Sequence, residues 1–481
     1  MTHASRASLA PFAGLLCVLA PAASGQQPSG SAGPGAAAPA QPGPPASAAS
    51  AASGATADAP APTTGILPIP DYTGDLWTRR ALLGDLGGSR TDLANMGIQF
   101  GIDWSNTVQS VVSGGRDIKT AVGGTLDYNL TLDLMRMGVL PGAVVKLRGE
   151  SRYGQTVNGQ SGALLPVNTD GFMPLAGRID EDIPFTLTTL SYTQFFSETF
   201  AVFLGKFDTL DGDGNEFASG RGLTQFQNLN FIFSPAPLIT VPYDTLGAGL
   251  LWKPAANVTL TSSVITTADS STTTGFDKIG DGWTWASEAS VQYRLGHLPG
   301  GFNVGGSYAW AQDFTTVGRR FVFQPGQGIT RTPGQDSSWS MYASAWQYLI
   351  AETPAENAAA PLNLADGAPD RKGLGLFARV GVADEDTHPL EFAVSGGVGG
   401  RGLIPGRDDD LWGVGVFYNQ AQALRLASLP TVDDSTLGFE AFYNIALTPA
   451  AGLTFDVQVV EPPTTNLDTA VVLGGRLLLR F

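Results

Sequence analysis

From Leu126 to Leu134 the chain alternates strictly. Leu126, Tyr128, Leu130, Leu132 and Leu134 are large and apolar, and Asp127, Asn129, Thr131 and Asp133 between them are polar. A period of two places these sets on opposite faces of a β-strand. The pattern recurs at near-constant length to the end of the sequence. It predicts strands at 100–111, 122–135, 143–153, 186–196, 199–208, 247–253, 257–266, 283–295, 302–313 and 338–349. The last six fall at 373–382, 390–398, 411–419, 436–447, 452–460 and 470–481. A half-buried soluble strand could read this way once. About sixteen in succession fit an all-β, transmembrane antiparallel β-barrel with lipid outside and water inside.

The connections alternate as well. Gly138–Gly142, Ser197–Glu198, Lys253–Asn257, Gly296–Gly301 and Thr448–Gly452 are short, whereas Gly154–Phe185, Thr209–Leu246, Thr267–Gly282, Phe314–Ser337 and Asn419–Ser435 are long. Short periplasmic turns and long external loops are the arrangement such barrels adopt. Ile350–Lys372 breaks the rule, so either the strand assignment fails there or that turn is extended. Trp104, Trp252, Trp283, Trp285, Trp310, Trp339 and Trp412 fall near strand ends, where interfacial girdles belong. The final strand carries Val471, Leu473, Leu477, Leu479 and Phe481 on one face. A closing strand with a terminal aromatic resembles the C-terminal signature of bacterial outer-membrane barrels, a resemblance that implies engagement of Phe481 by the barrel-assembly machinery.

Composition supports one large β-domain behind an unfolded leader. Charged residues make up only 15%, and no apolar run of about 18 residues could span a bilayer as a helix. Residues 1–25 read as a signal peptide: His3 and Arg6, an apolar core from Leu9 to Leu19, then small residues through Gly25. The single cysteine, Cys17, lies in that core after Leu16, which is too large for a lipidation site. The exported chain is then left without disulfides. Residues 26–68 are rich in Pro, Ala, Gly and Ser, too poor in apolar surface to offset chain entropy, and read as a disordered periplasmic tether. Residues 69–98 form an N-terminal periplasmic segment with a short helix, and 99–481 the barrel. The net charge of −16, with no basic cluster, argues against nucleic acid.

Lys146, Arg148, Glu150 and Arg152 share one strand face, which must be the lumen, because lipid would exact several kcal/mol for such charges. A hairpin turning at Gly138–Gly142 places Asp133 opposite Lys146 or Arg148, and Asp127 near Arg152. Either these charges stiffen the wall as an ion-pair ladder, or they form a polar track exchanging hydrogen bonds with sugar hydroxyls. Glu288, Arg294, Arg379 and Glu440 are further lumen charges. No metal cluster or cofactor motif is visible. Of the histidines, His3 lies in the leader, His297 in a tight turn and His388 in a loop, none beside a serine on a lumen-facing strand, which argues against a hydrolase. Asp211-Gly-Asp-Gly-Asn-Glu216 begins like a calcium loop but has Glu216 where glycine is required, so it reads as a surface loop.

Several segments resemble the carbohydrate-selective porin family (OprB type) of Gram-negative outer membranes. Leu83-Gly-Asp-Leu-Gly-Gly-Ser-Arg90, followed by a short helix, is similar to the family's N-terminal motif, with Leu86 where a Trp is usual. Gly373–Gly381, Gly399–Arg407, Phe442–Pro449 and Asp456–Val459 are similar to further family segments, with Ala450 where an aromatic is usual. The resemblance spans Leu83 to Phe481. It implies a sixteen-stranded passive channel for sugars in the outer membrane, with carbohydrates and lipid as partners. In many sixteen-stranded porins the third external loop folds inward and sets the constriction. Here that loop, Thr209–Leu246, offers Glu216, Phe217, Arg221, Phe226, Gln227 and Asn228, and aromatic rings beside polar groups suit a sugar. Phe231 and Phe233 read as packing against the wall. A general diffusion porin and a structural or adhesive barrel remain alternatives, and both a monomer and a homotrimer are open.

Overall fold

The computed structural model describes residues 65–481 apart from 177, 179, 213, 315–320, 325–327, 332–333, 353–368, 370, 422–432 and 434. The signal-peptide assignment and nearly all of the tether assignment lie outside the described residues.

A helix, α1 (Ser89–Asn95), precedes the first strand. The strands in chain order are β1 (Ile98–Gly115), β2 (Thr120–Asp133), β3 (Ala143–Gly154), β4 (Ile183–Ser197), β5 (Phe200–Asp208), β6 (Asp244–Ala255), β7 (Val258–Thr266), β8 (Trp283–Leu295) and β9 (Leu298–Phe314). They continue with β10 (Phe321–Gln324), β11 (Gly328–Arg331), β12 (Gln335–Ala351), β13 (Gly373–Ala383), β14 (Leu390–Arg401), β15 (Leu411–Ala421), β16 (Ser435–Thr448), β17 (Ala451–Val460) and β18 (Asp468–Arg480). Sixteen of these close into one antiparallel barrel in which each strand pairs with its sequence neighbours and β18 returns to β1. Closure leaves no open edge, so the backbone can cross hydrocarbon fully hydrogen-bonded. The remaining two, β10 and β11, form a separate hairpin inside the loop after β9. Alternation had no purchase on such short strands, and this hairpin is an addition to the predicted set.

All sixteen predicted barrel strands are present. At 350–372 the strand assignment holds on both sides: β12 ends at Ala351, β13 starts at Gly373, and the Glu352 amide donates to the Lys372 carbonyl at 2.9 Å, while most of the connection lies outside the described residues.

Burial is inverted relative to a soluble protein. On β15, Val414 and Val416 point outward and are exposed, while Gly413, Gly415 and Phe417 point inward and are covered. Leu204, Leu250, Leu376, Leu437 and Leu473 continue the outer apolar belt, with Trp252, Trp285 and Trp339 exposed among them. Large apolar side chains tolerate this only if their solvent is lipid.

The closing seam is bound at the end that carries both termini. Phe481 donates its amide to Ile102 at 2.7 Å. The buried guanidinium of Arg90, on α1, donates to the backbone oxygens of Phe100 and Phe481, both at 2.9 Å. It also lies over the rings of Tyr72 and Phe100, at 4.7 and 4.8 Å. One side chain thus ties the N-terminal segment to both strands of the seam.

Candidate functional site

At the other end, among the described residues, two of the loops that join the strands fold into the lumen. The second (155–182) and third (209–243) hydrogen-bond to each other: the Thr169 amide donates to Gln227 and the Leu229 amide to Pro166, each at 3.0 Å. Together they cover much of the inner wall.

The third loop leaves β5 at Asp208 and crosses the barrel. Asn215 donates to Ser344 Oγ on β12 at 3.0 Å, and the Tyr348 hydroxyl donates to Glu216 at 2.7 Å. The loop then lies along β13 to β16, where glycines on the inner face leave room for its aromatic rings. Phe217 fits over Gly375 and Gly399, Phe226 over Gly413, and Phe231 over Gly415. Phe226 and Phe231 stack at 4.6 Å between centroids, and Phe377, Phe417 and Phe442 of the wall meet them edge-on. Thr240 meets Ser307 on β9 at 2.6 Å before the chain rejoins the wall at β6.

Where the loop begins its crossing, a charged cluster forms against β3. Lys146 Nζ lies 2.6 Å from Asp211. Arg148 pairs with Asp208 at 2.9 Å and with Asp211 at 2.6 Å. From the loop side, Arg221 reaches Glu150 at 3.2 Å and Asp211 at 2.8 Å, and also pairs with Asp208. The Tyr243 hydroxyl donates to Glu150 at 2.8 Å and Asp208 at 3.2 Å, and Thr188 donates to Glu150 at 2.9 Å. Burial alone would raise the pKa of Asp211, but Arg148, Lys146 and Arg221 outweigh it and hold the carboxyl well below the usual range. Lys146 and Asp211 keep partial exposure, so this edge of the cluster faces the aqueous lumen. The wall side extends the network: Arg148 donates to Asn129 at 3.1 Å, Asn129 to Asp103 at 3.3 Å, and Arg480 lies 4.0 Å from Asp103.

Some sequence-derived candidates are therefore brought together and others are not. Lys146, Arg148, Glu150 and Arg221 form the cluster, with Asp127 directly opposite Glu150 on β2. The expected ion-pair ladder is corrected: Asp133 pairs in register with Val144, Asn129 with Arg148, and Thr125 with Arg152. The turn from Leu134 to Gly142 is longer than the glycine pair suggests, which slides the register by two residues. A two-residue slide keeps every side chain on its face, so the lumen assignment survives while the partners change. Asp133 instead accepts from the Leu67 and Arg136 amides at the terminal end.

The other candidates hold the loops. Arg152 donates to the carbonyls of Phe172 and Pro174 in the second loop. Arg379 donates to the carbonyls of Ala218 and Phe231. Glu440 accepts from the amides of Gln227 and Asn228 at 2.6 and 2.9 Å, and Asn228 donates to Gln458 at 3.0 Å. Phe226 is wholly buried, so it offers no ring face to a solute. Asp208, Tyr243 and Arg476 were not singled out from sequence, and Asp211, read as the start of a surface loop, is instead turned into the lumen, where it faces Lys146, Arg148 and Arg221. Arg476 on β18 is fully buried and donates to the carbonyls of Gly222 and Gln225. An arginine on a lumen face was the available signal, but its partners are backbone carbonyls that no side-chain pattern reveals.

His388, on the turn between β13 and β14, is buried beside the third loop. Its Nδ1 accepts from the Leu390 amide at 2.9 Å, and burial pushes its pKa down to about 4. Because the folded-state value lies below the ordinary 6.5, stability from this site is complete above pH 6.5 and is lost as pH falls toward 4. The shift corresponds to about 3 kcal/mol. Loop docking, read as the fraction of narrow-conductance openings, should fall across that window. In His388→Asn, whose amide oxygen can replace the Nδ1 acceptor, this pH dependence should flatten.

A closed sixteen-stranded barrel with an apolar outside, a charged lumen and an infolded loop at its waist is an outer-membrane diffusion channel. The model of the carbohydrate-selective porin, OprB family matches residues 118–481, and the chain belongs to that family. It is a porin of the Gram-negative outer membrane through which carbohydrates diffuse passively. The structure is similar to that of Pseudomonas putida OprB at high pH, with TM-score 0.70 and 20% identity over 85% of this chain and 100% of that one. The low-pH form of the same protein matches with TM-score 0.51 and 16% identity over 84% and 99%. At these identities the likeness shows the fold. No curated protein sequence matches the chain.

Proposed function

We propose that glucose-like monosaccharides and small oligosaccharides pass beside the third loop, and that Lys146, Arg148, Glu150, Arg221 and Asp211 set the selectivity. The observation that carries this reading is the cluster itself. Cations from β3 and the loop alternate with carboxylates, and one edge is open to water. A hydrated sugar approaching it exchanges water hydrogen bonds for bonds to guanidinium donors and carboxylate acceptors, each weak enough for release. An inorganic anion finds acids beside every cation. We read the chain as a channel without catalysis. The terminal end faces the periplasm, residues 1–25 direct export, and 26–68 tether that end on the periplasmic side. A second reading, general diffusion without sugar preference, is favoured by one observation: the cations are already paired with carboxylates.

Conductance of the refolded protein in a planar bilayer, titrated with glucose, maltose and a small anion, separates the two. Discrete steps that close with sugar and ignore the anion are expected. Steps indifferent to saturating sugar would establish general diffusion instead.

A further inference from the structure

The N-terminal segment carries an apolar surface that the pore does not use. Trp77 is 70% exposed and Leu76 45%, and Leu83, Leu86 and Met96 are also open. The segment is nonetheless firmly held. Tyr72 is buried against Arg90, the Leu67 amide donates to Asp133, and the Leu82 amide donates to the carbonyl of Arg480 at 2.8 Å. The turn presenting Trp77 is fixed internally: Asp75 accepts from the Trp77 amide at 2.9 Å and from Thr78 Oγ1 at 3.0 Å. A rigid turn that displays its largest apolar side chain does so at a standing cost in water.

We propose that Leu76 and Trp77 dock on the lipid surface, at headgroup level, beside the terminal end of the barrel. Continuity with the barrel's own lipid interface selects this occupant. The Leu82 bond fixes the segment to the last residue of β18, whose outward face carries Leu477 and Leu479. An indole has an apolar body and a polar N–H and partitions to the membrane interface. Arg80 is exposed three residues away and suits a phosphate group. Asp71 and Asp75 are turned toward Thr73 and Thr78, so they offer less repulsion to that phosphate. On the orientation proposed above, on which this inference rests, the leaflet is the periplasmic one. The segment then acts as an outrigger that fixes the depth of the seam.

The test uses the full chain reconstituted in phosphatidylethanolamine and phosphatidylglycerol vesicles, with or without lipids brominated near the top of the acyl chain. Emission of the unmodified protein minus that of Trp77→Phe isolates this indole from the girdle tryptophans. Trp77 is mostly exposed, so the variant keeps its barrel, checked by heat-modifiable gel migration. The difference emission should be blue-shifted, lose most of its intensity to bromolipid and resist aqueous iodide. Emission quenched by iodide and indifferent to bromine would overturn the proposal. So would an indole shielded from both, which would place a second copy or another protein on the turn. Sugar block is measured independently, so failure of the pore reading and failure of this one are distinguishable.

Discussion

Gly415→Val should widen the pore and weaken its sugar block at least about tenfold, the equivalent of 1.4 kcal/mol. A Cβ at Gly415 would lie 2.5 Å from Phe231 Cε1, and the three nearest atoms are all in that one ring. The strand can therefore keep its register with β14 and β16 while the loop loses its seat. Gly375 is a poorer choice, because a Cβ there would also meet the Gln347 carbonyl of β12 at 2.4 Å and disturb the wall. Phe231 is fully buried among Phe226, Phe377 and Phe417. Displacing such a side chain is comparable to a buried Phe→Ala change, about 3–5 kcal/mol. A loop held by this aromatic set should then spend much of its time out of the lumen. Phe231→Ala should act in the same direction without any clash. Single-channel conductance with a glucose titration reads both variants, and conductance unchanged in both would show that the loop does not depend on this seat.

Arg221→Met should abolish most of the sugar block and shift selectivity toward cations. The guanidinium faces Glu150, Asp208 and Asp211 together, and removing it leaves the three carboxylates with two cations, Arg148 and Lys146, beside the neutral Tyr243 and Thr188 donors. Breaking one partner of a buried ion cluster costs about 3–5 kcal/mol, because the remaining charges stay desolvated. Arg221 also holds a left-handed backbone, φ +55°, which an L side chain adopts only under constraint. Two contributions can therefore be separated. Arg221→Gly relieves the backbone and removes the charge, so it should be the more stable of the two variants yet equally unselective. Arg221→Lys keeps a point charge but not the planar fork, and should hold the reversal potential near that of the unmodified channel while losing sugar affinity. Reversal potentials in a salt gradient, with sugar titrations, test the series. Unchanged reversal potential in Arg221→Met would remove this residue from the selectivity argument.

How much of this was legible in the sequence follows from the range of the forces involved. Alternation is local, so the barrel strands could be placed to within a few residues at each end, and so could the lumen face of Lys146, Arg148, Glu150 and Arg152. Register is set by turn geometry, and the β2–β3 slide of two residues went unseen for that reason. The loop seats were harder still. Gly413 and Gly415 look like ordinary small residues until Phe226 and Phe231, nearly two hundred positions earlier, are laid over them. Arg379 and Glu440 were found as lumen charges, but their partners are loop carbonyls and amides, which every residue possesses. Asp208 and Asp211 acquire their role only because the loop turns inward between them and Arg221.

The seam at Arg90 bears on timing. Its bond to Phe481 spans 391 positions, and closing a chain segment that long costs about 5 kcal/mol in loop entropy. The clamp cannot form until β18 has found β1, so it cannot guide that encounter, and its contribution falls on opening rather than on closing. A barrel lacking it should assemble at an ordinary rate and come apart sooner. Arg90 is in this sense a device for lifetime, one that slows the parting of two strands brought together by everything between them.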